Sequence, residues 1–184
     1  FKKQTTLKNM KAVAAGSAHS LALGGNDGVW GWGENSSGQV GNNKTIDSKI
    51  PVNAIGLANS VMAFATGRYH DLIVKDDGSV WTFGWNGFEQ LGRWTYPAVN
   101  ASGPAKVRNL SGIKKVAGGW WFSLALDSKG NVWGWGYNDE GELGDGTTVQ
   151  RRTPGKIAGL NTVQAIAAGA FHALALKKDG TVWA

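Results

Sequence analysis

Between Lys11 and Leu23 the chain reads K-A-V-A-A-G-S-A-H-S-L-A-L, with small and β-branched residues before a glycine and an alternating Ser20, Leu21, Ala22, Leu23 run after a histidine. A period of two marks a half-buried strand, so the stretch predicts two short strands joined at Gly16 to His19. A helix over the same residues would carry Gly16 in its interior, at a cost of about 1 kcal/mol relative to alanine. Asn26-Asp27-Gly28 is a turn signal leading into a third strand, Val29 to Trp32. The turn recurs at Asp77-Gly78, Lys129-Gly130 and Asp179-Gly180, ahead of strands at Val80 to Phe83, Val132 to Trp135 and Thr181 to Ala184. Each full strand gives way to a polar segment rich in Asn, Gly and Ser (35–48, 86–103, 138–153), and a proline then opens a short apolar stretch such as Lys156-Ile157-Ala158. The pattern therefore predicts four short strands per unit.

Three marker series share one period. Trp30, Trp81, Trp133 and Trp183 are separated by 51, 52 and 50 residues. Gly16, Gly67, Gly119 and Gly169 each precede His19, His70, Phe122 and His172 by three residues, and Pro51, Pro104 and Pro154 precede Leu57, Leu110 and Leu160 by six. An internal repeat of this length, with hairpin units near 7–41, 57–92, 110–144 and 160–184, fits the blade of a β-propeller, whose sheets bury their faces against neighbouring sheets. The regular tryptophans are candidates for the core. Unclosed units would leave apolar blade faces uncovered, so completion of the ring by a second copy or by further parent sequence is expected.

The combination A-A-G-x-x-H-S-L-A-L, then D-G-x-V-W-x-W-G-x-N-x-x-G-Q-L-G, resembles the repeat of the regulator-of-chromosome-condensation (RCC1-like) propeller family. It runs over Ala14 to Leu23 with Val29 to Gly41, Ala65 to Val74 with Val80 to Gly92, Gly118 to Leu126 with Val132 to Gly144, and Ala167 to Leu176 with Val182-Trp183. Departures are Phe122 in a histidine slot, Trp120-Trp121 beside it, and Glu89 where Gly38 and Gly141 stand. The resemblance implies an all-β propeller fragment over 1–184, about half of a ring, acting as a non-enzymatic protein–protein interaction module. The V-W-G-W-G flavour is closer to bacterial members, with a more distant likeness to a β-lactamase-inhibitor propeller. That implies a bacterial protein, secreted or at the cell surface. A carbohydrate-binding or carbohydrate-active propeller, an exchange-factor or chromatin-type scaffold, and an assembly fragment with no defined activity remain as alternatives.

Composition narrows the chemistry. The 28 glycines and 10 tryptophans lie well above ordinary usage, and the glycines fall at fixed points of the repeat, as ordered turns require. With no cysteine there is neither a disulfide nor a thiolate metal site. No stretch is apolar for 18 residues, so no membrane insertion is expected. The net charge of +6 comes from basic residues dispersed in pairs, without the stripe of Lys and Arg among stacking rings that nucleic acid needs. His19, His70 and His172 recur once per unit without a second ligand at zinc-like spacing, and are read as structural. Asp139, Glu140, Glu142 and Asp145 do not follow a calcium-loop pattern and are read as a solvated loop. Gly31-Trp32-Gly33 and Gly134-Trp135-Gly136 open no helix and bind no phosphate on this reading, and Ser20 and Ser123 lack a nucleophile elbow. No catalytic residue, metal or cofactor is expected.

Functional suspicion falls on the exceptions to the repeat. Between the glycine and the histidine slot stand Ser17-Ala18, Arg68-Tyr69, Trp120-Trp121 and Ala170-Phe171. The connector of unit two adds Trp85, Phe88, Arg93, Trp94 and Tyr96 where unit one has Glu34, Ser37 and Asn42-Asn43-Lys44. Equivalent positions of a propeller share one face of the ring, and aromatics and arginine dominate interface energetics. Arg68, Tyr69, Trp120, Trp121, Phe171, Trp85, Phe88, Arg93, Trp94 and Tyr96 are therefore the candidate partner-binding residues, with gap-filling between units as the competing role.

Overall fold

The computed structural model describes residues 7–25, 28–57, 60–93 and 98–184. They form antiparallel meanders and no helix. The first sheet contains β1 (Met10–Ala15), β2 (His19–Gly24), β3 (Val29–Gly33) and β4 (Ser48–Asn53). The second contains β5 (Val61–Thr66), β6 (His70–Lys75), β7 (Val80–Gly84) and β8 (Ala101–Lys106). The third contains β9 (Ile113–Gly118), β10 (Phe122–Asp127), β11 (Val132–Gly136) and β12 (Arg151–Lys156). The last has β13 (Val163–Ala168), β14 (Ala173–Lys177) and β15 (Val182–Trp183). The first strands of successive sheets, β1, β5, β9 and β13, lie side by side. The chain is thus an all-β partial propeller.

Strand register explains the W-G-W-G pattern. In the third sheet Leu124 pairs with Gly134 and Leu126 with Val132, while Trp133 stands opposite Ala125 and Trp135 opposite Ser123. Because side chains alternate across a strand, one face carries Leu, Val and Gly and the other carries large rings beside small residues. Each blade turns its aliphatic face to the following blade and its aromatic face to the preceding one. Leu21, Leu23 and Val29 of the first sheet cluster with Val61, Ile73 and Phe83 of the second. Leu72, Val74 and Val80 cluster in turn with Ile113, Ala125 and Trp135. Ala54, Leu57, Val107 and Leu110, from the segments that follow the proline-bearing strands, fill the outer ends of these interfaces.

The aromatic rings that reach the core are Phe83, Phe122 and Trp135, all wholly buried. The regular series is shallower, which corrects the expectation made from periodicity. Trp30, Trp81 and Trp133 are half-buried and Trp183 is exposed. Trp81 lies under Lys75, whose Nζ is 4.5 Å from the ring, and Trp133 donates its indole N–H to Asp127 Oδ2 at 3.2 Å. These tryptophans cap the outer edge of each interface rather than its centre.

The N-x-x-G-Q-L-G connectors are built from their own polar side chains. Asn138 Oδ1 accepts the Leu143 N–H at 2.9 Å, while its amide donates to the carbonyls of Thr147 and Val149. Asn35 does the same with Val40, Lys44 and Ile46. Glu142, Gln90 and Gln39 each accept the backbone N–H two residues upstream. Glu89 adopts φ +62°, in line with +83° and +82° at Gly38 and Gly141, a left-handed conformation that costs a non-glycine residue roughly 1 kcal/mol. Its carboxylate lies 3.2 Å from Arg152 Nε on the next blade.

Candidate functional site

The turns between the first two strands of each blade and the connectors after the third strand emerge at the same edge, because His19 pairs with Gly33, His70 with Gly84 and Phe122 with Gly136. Backbone bonds tie the two sets together. Glu34, Trp85 and Tyr137 donate their N–H groups to Ala18, Tyr69 and Trp121. Blade-to-blade bonds run along the turns as well, from Ser17 N–H to Arg68, Arg68 N–H to Gly119 and Trp120 N–H to Ala170. The side chains of the turns are therefore presented on a backbone frame with its hydrogen bonds made.

On this frame the sequence exceptions converge. Trp121 sits at the centre, with ring centroids at 6.4 Å from Trp85, 5.3 Å from Phe88, 5.5 Å from Tyr137, 5.3 Å from Phe171 and 6.0 Å from Trp120. Trp120 and Phe171 pack edge to face at 4.9 Å, and the Arg68 guanidinium lies 4.4 Å over Trp120 and 5.0 Å over Tyr69. Aromatic pairs at these spacings favour tilted and edge contacts through their quadrupoles, and a stacked guanidinium adds a cation–π term. Trp121 is half-buried, whereas Trp120 and Phe171 are 39% and 41% exposed. Beside them Glu34, Ser36, Arg68, Tyr69, Trp85 and Trp121 bound an open recess of about 400 Å³.

Seven of the residues singled out from sequence meet here: Arg68, Tyr69, Trp85, Phe88, Trp120, Trp121 and Phe171. Arg93 lies further along the connector, half-buried, and burial lowers its pKa to about 10. It makes none of the described ring contacts. Trp94 and Tyr96 fall outside the described residues. Sequence reasoning missed Tyr137, which packs on Phe88 at 4.8 Å. The signal was available, because Tyr137 fills the position that Glu34 and Trp85 hold in the other units.

Beneath the turns, the histidine slot bridges blades. His19 Nε2 lies 3.0 Å from Asp71 Oδ1, and His70 Nε2 lies 2.9 Å from Ser123 Oγ. Ser123 gives its own proton to the Gln90 carbonyl, so it accepts the His70 Nε2–H. Where the slot holds Phe122, the facing residue is Ala173, which packs against the same cluster. Burial opposes charge on His19, but the Asp71 carboxylate prevails and raises its pKa. Among the described residues His70 has no anionic partner, and burial, helped by His19, lowers its pKa to about 3. Burial raises Asp71 against the pull of His19. Gly67 is required by this packing, since a Cβ there would run into the His70 ring.

Two of the four loop carboxylates are structural rather than solvated: Glu142 is buried on its own backbone, and Asp145 accepts from Thr147 and pairs with Arg151, whereas Asp139 and Glu140 are exposed. Among the described residues no group of three or more His, Cys, Asp or Glu is placed to hold a metal.

Fold and site together define a repeat β-propeller with an aromatic face. The chain belongs to the RCC1 repeat family: the profile described as "Regulator of chromosome condensation (RCC1) repeat" matches residues 26–74, 77–126 and 129–176. It is 38% identical over 139 residues to the zebrafish (Danio rerio) RCC2 homolog, covering 73% of this chain and 28% of that protein. The crystal structure of human WBSCR16 superposes with a TM-score of 0.82 at 29% identity, over 94% of this chain and 46% of that one. Yeast RCC1 (Prp20), solved bound to Kap60, gives 0.81 at 24% identity, over 99% of this chain and 44% of that one, a likeness of fold. The chain spans about a third or less of the length of the curated relatives it matches. These similar proteins are eukaryotic, which overturns the expectation of a bacterial protein that is secreted or on the cell surface.

Proposed function

We propose that the chain is a non-enzymatic protein-interaction module whose contact surface is the platform of Arg68, Trp120, Trp121 and Phe171. The carrying observation is the partial exposure of Trp120 and Phe171 within a continuous ring cluster that also holds an arginine. Clustered exposed aromatics are costly in water, and rigid rings beside a guanidinium are the groups that dominate protein interfaces. Arg68 makes no ion pair among the described residues, so its fork is available to a carboxylate while Trp120 holds it in place. The Prp20 complex with Kap60 supports the use of this fold in protein recognition. A photo-crosslinking amino acid at position 171, compared with one at exposed Lys114, tests the reading in cells. Crosslinked protein at 171 that vanishes with Trp120→Ala supports it, and equal yields at both sites sink it.

Sugar stacking is a second use of the same rings, favoured by the recess that Tyr69, Trp85 and Trp121 share with Glu34 and Ser36. A glycan array decides between them. Binding that depends on Trp85 selects the sugar reading, and a blank array selects the protein one.

A further inference from the structure

The edge opposite the platform carries the D-G turns, the segments between blades and the starts of the inner strands. Backbone bonds join it from blade to blade: Ile113 donates its N–H to the Gly78 carbonyl, and Val163 donates to that of Gly130. Basic residues that the sequence disperses in pairs gather here, with Lys106, Arg108, Lys114, Lys115, Lys129 and Lys156 all exposed. The carboxylates of this edge are largely engaged by their own turns. Asp77, Asp127 and Asp179 each accept the N–H two residues on, at 2.8, 2.9 and 3.0 Å, while Asp76 stays exposed. Glu34, Asp139 and Glu140 belong to the connectors of the other edge.

One blade departs from the repeat at this edge. Lys75 Nζ lies 4.5 Å over the ring of Trp81, and Lys177, its counterpart in the fourth sheet, lies 4.8 Å over Trp183. The third blade has Asp127 at that position. In the first blade Gly24 holds it, and the turn that follows lies outside the described residues. A carboxylate does not settle on an indole face, whose quadrupole is negative. Asp127 takes the edge instead, accepting the Trp133 Nε1–H at 3.2 Å. The N–H groups of Lys129 and Asn131 and the Asn131 amide hold the same carboxylate. The Trp133 ring is thus fixed at its edge and lacks the lysine over its face. Beside it opens a recess of about 290 Å³ whose walls include Asn109, Ser111, Lys129, Trp133 and Lys156. Lys156 stands opposite Trp133 across β11 and β12.

We infer that this recess is a base-stacking subsite for single-stranded nucleic acid, with one base on the Trp133 ring and the flanking phosphates on Lys129 and Lys156. An indole face beside ammonium groups suits a base with its phosphates, because every base has a π face and stacks with little regard to sequence. The Asn109 amide and the Ser111 hydroxyl offer donors and acceptors to the base edge. The exposed basic residues around the recess extend the positive field along a strand. A duplex keeps its bases stacked on one another and has no face for the ring, and an acidic peptide brings charge without one. The inference concerns the edge away from the platform and does not depend on what the platform binds.

Fluorescein-labelled oligo(dT) is titrated with the 184-residue protein and followed by anisotropy at about 50 mM salt. Saturable binding is expected, about tenfold weaker with Trp133→Ala and unchanged with Trp81→Ala, whose ring is already covered. Lys156→Gln should flatten the slope of log affinity against log salt by about 0.7. The decisive variant is Asp127→Lys with Asn131→Ser, which copies Lys75 and Ser79 and should keep the fold by circular dichroism. It makes the edge more positive, yet should weaken binding severalfold because the new lysine covers the ring. Unlabelled poly-glutamate and a duplex of the same length should compete far less well than unlabelled oligo(dT). Absence of saturable binding, unchanged or tighter binding by the double variant, an equal loss from Trp81→Ala, or equal competition by poly-glutamate or duplex overturns the inference.

Discussion

Lowering the pH from 7 to 5 puts a proton on an unfolded histidine but not on His70. The ring is fully buried, its Nε2–H is committed to Ser123, and its pKa in the folded chain is about 3 against an ordinary 6.5. The folded state therefore refuses a proton that the unfolded state accepts. Stability falls as pH drops below about 6.5 and continues to fall until the folded value near 3 is reached, at about 1.4 kcal/mol per pH unit. Between pH 7 and 5 the loss is about 2 kcal/mol. The chain supplies its own apolar replacement, Phe122 facing Ala173. The double change His70→Phe with Ser123→Ala should fold and lose this part of the acid sensitivity. His19 works in the opposite sense. Its pKa is raised by Asp71, so its contribution is complete below about 6.5 and is lost as pH rises through the folded value. Present in both proteins, it largely cancels in the comparison. Urea midpoints from far-UV circular dichroism at pH 7 and 5 give the two differences. Equal losses in wild type and double variant would refute the assignment of the slope to His70.

Four further outcomes are expected. Trp121→Ala removes the ring at the centre of the cluster and should cost about 3 kcal/mol in urea unfolding, while Trp120→Ala, more exposed, should cost about 1 and spare the fold. Gly67→Ala pushes a methyl into the His70 ring and the Gly119 carbonyl, so a loss above about 2 kcal/mol is expected by the same measurement. Asn138→Ala strands the buried Leu143 N–H and the Thr147 and Val149 carbonyls, and should cost about 2 kcal/mol with faster amide exchange confined to 138–149. Val13, Val182 and Trp183 are exposed at the two outer sheets, so light scattering at micromolar concentration should show association that weakens with Val13→Lys.

The strands, their hairpin order and the repeat were legible in the chain, because each depends on neighbours a few residues apart. Period-two runs, D-G turns and the fixed place of glycine are local rules, and their copies about fifty residues apart reinforced one another. The list of odd residues at Arg68-Tyr69, Trp120-Trp121 and Phe171 was legible for the same reason, as departures from a pattern. Depth was not. Trp133 and Trp135 sit two residues apart on the same face of one strand, yet only Trp135 reaches the centre of an interface, because the preceding blade offers it Gly92 and the Gln90 carbonyl. The partners of His19 and His70 likewise belong to the next blade, at separations of 52 and 53 residues. Which blade face meets which, and at what distance, is set by long-range packing, and one chain read in order carries no coordinate for it. Tertiary structure alone turned a series of exceptions into a platform with Trp121 at its centre.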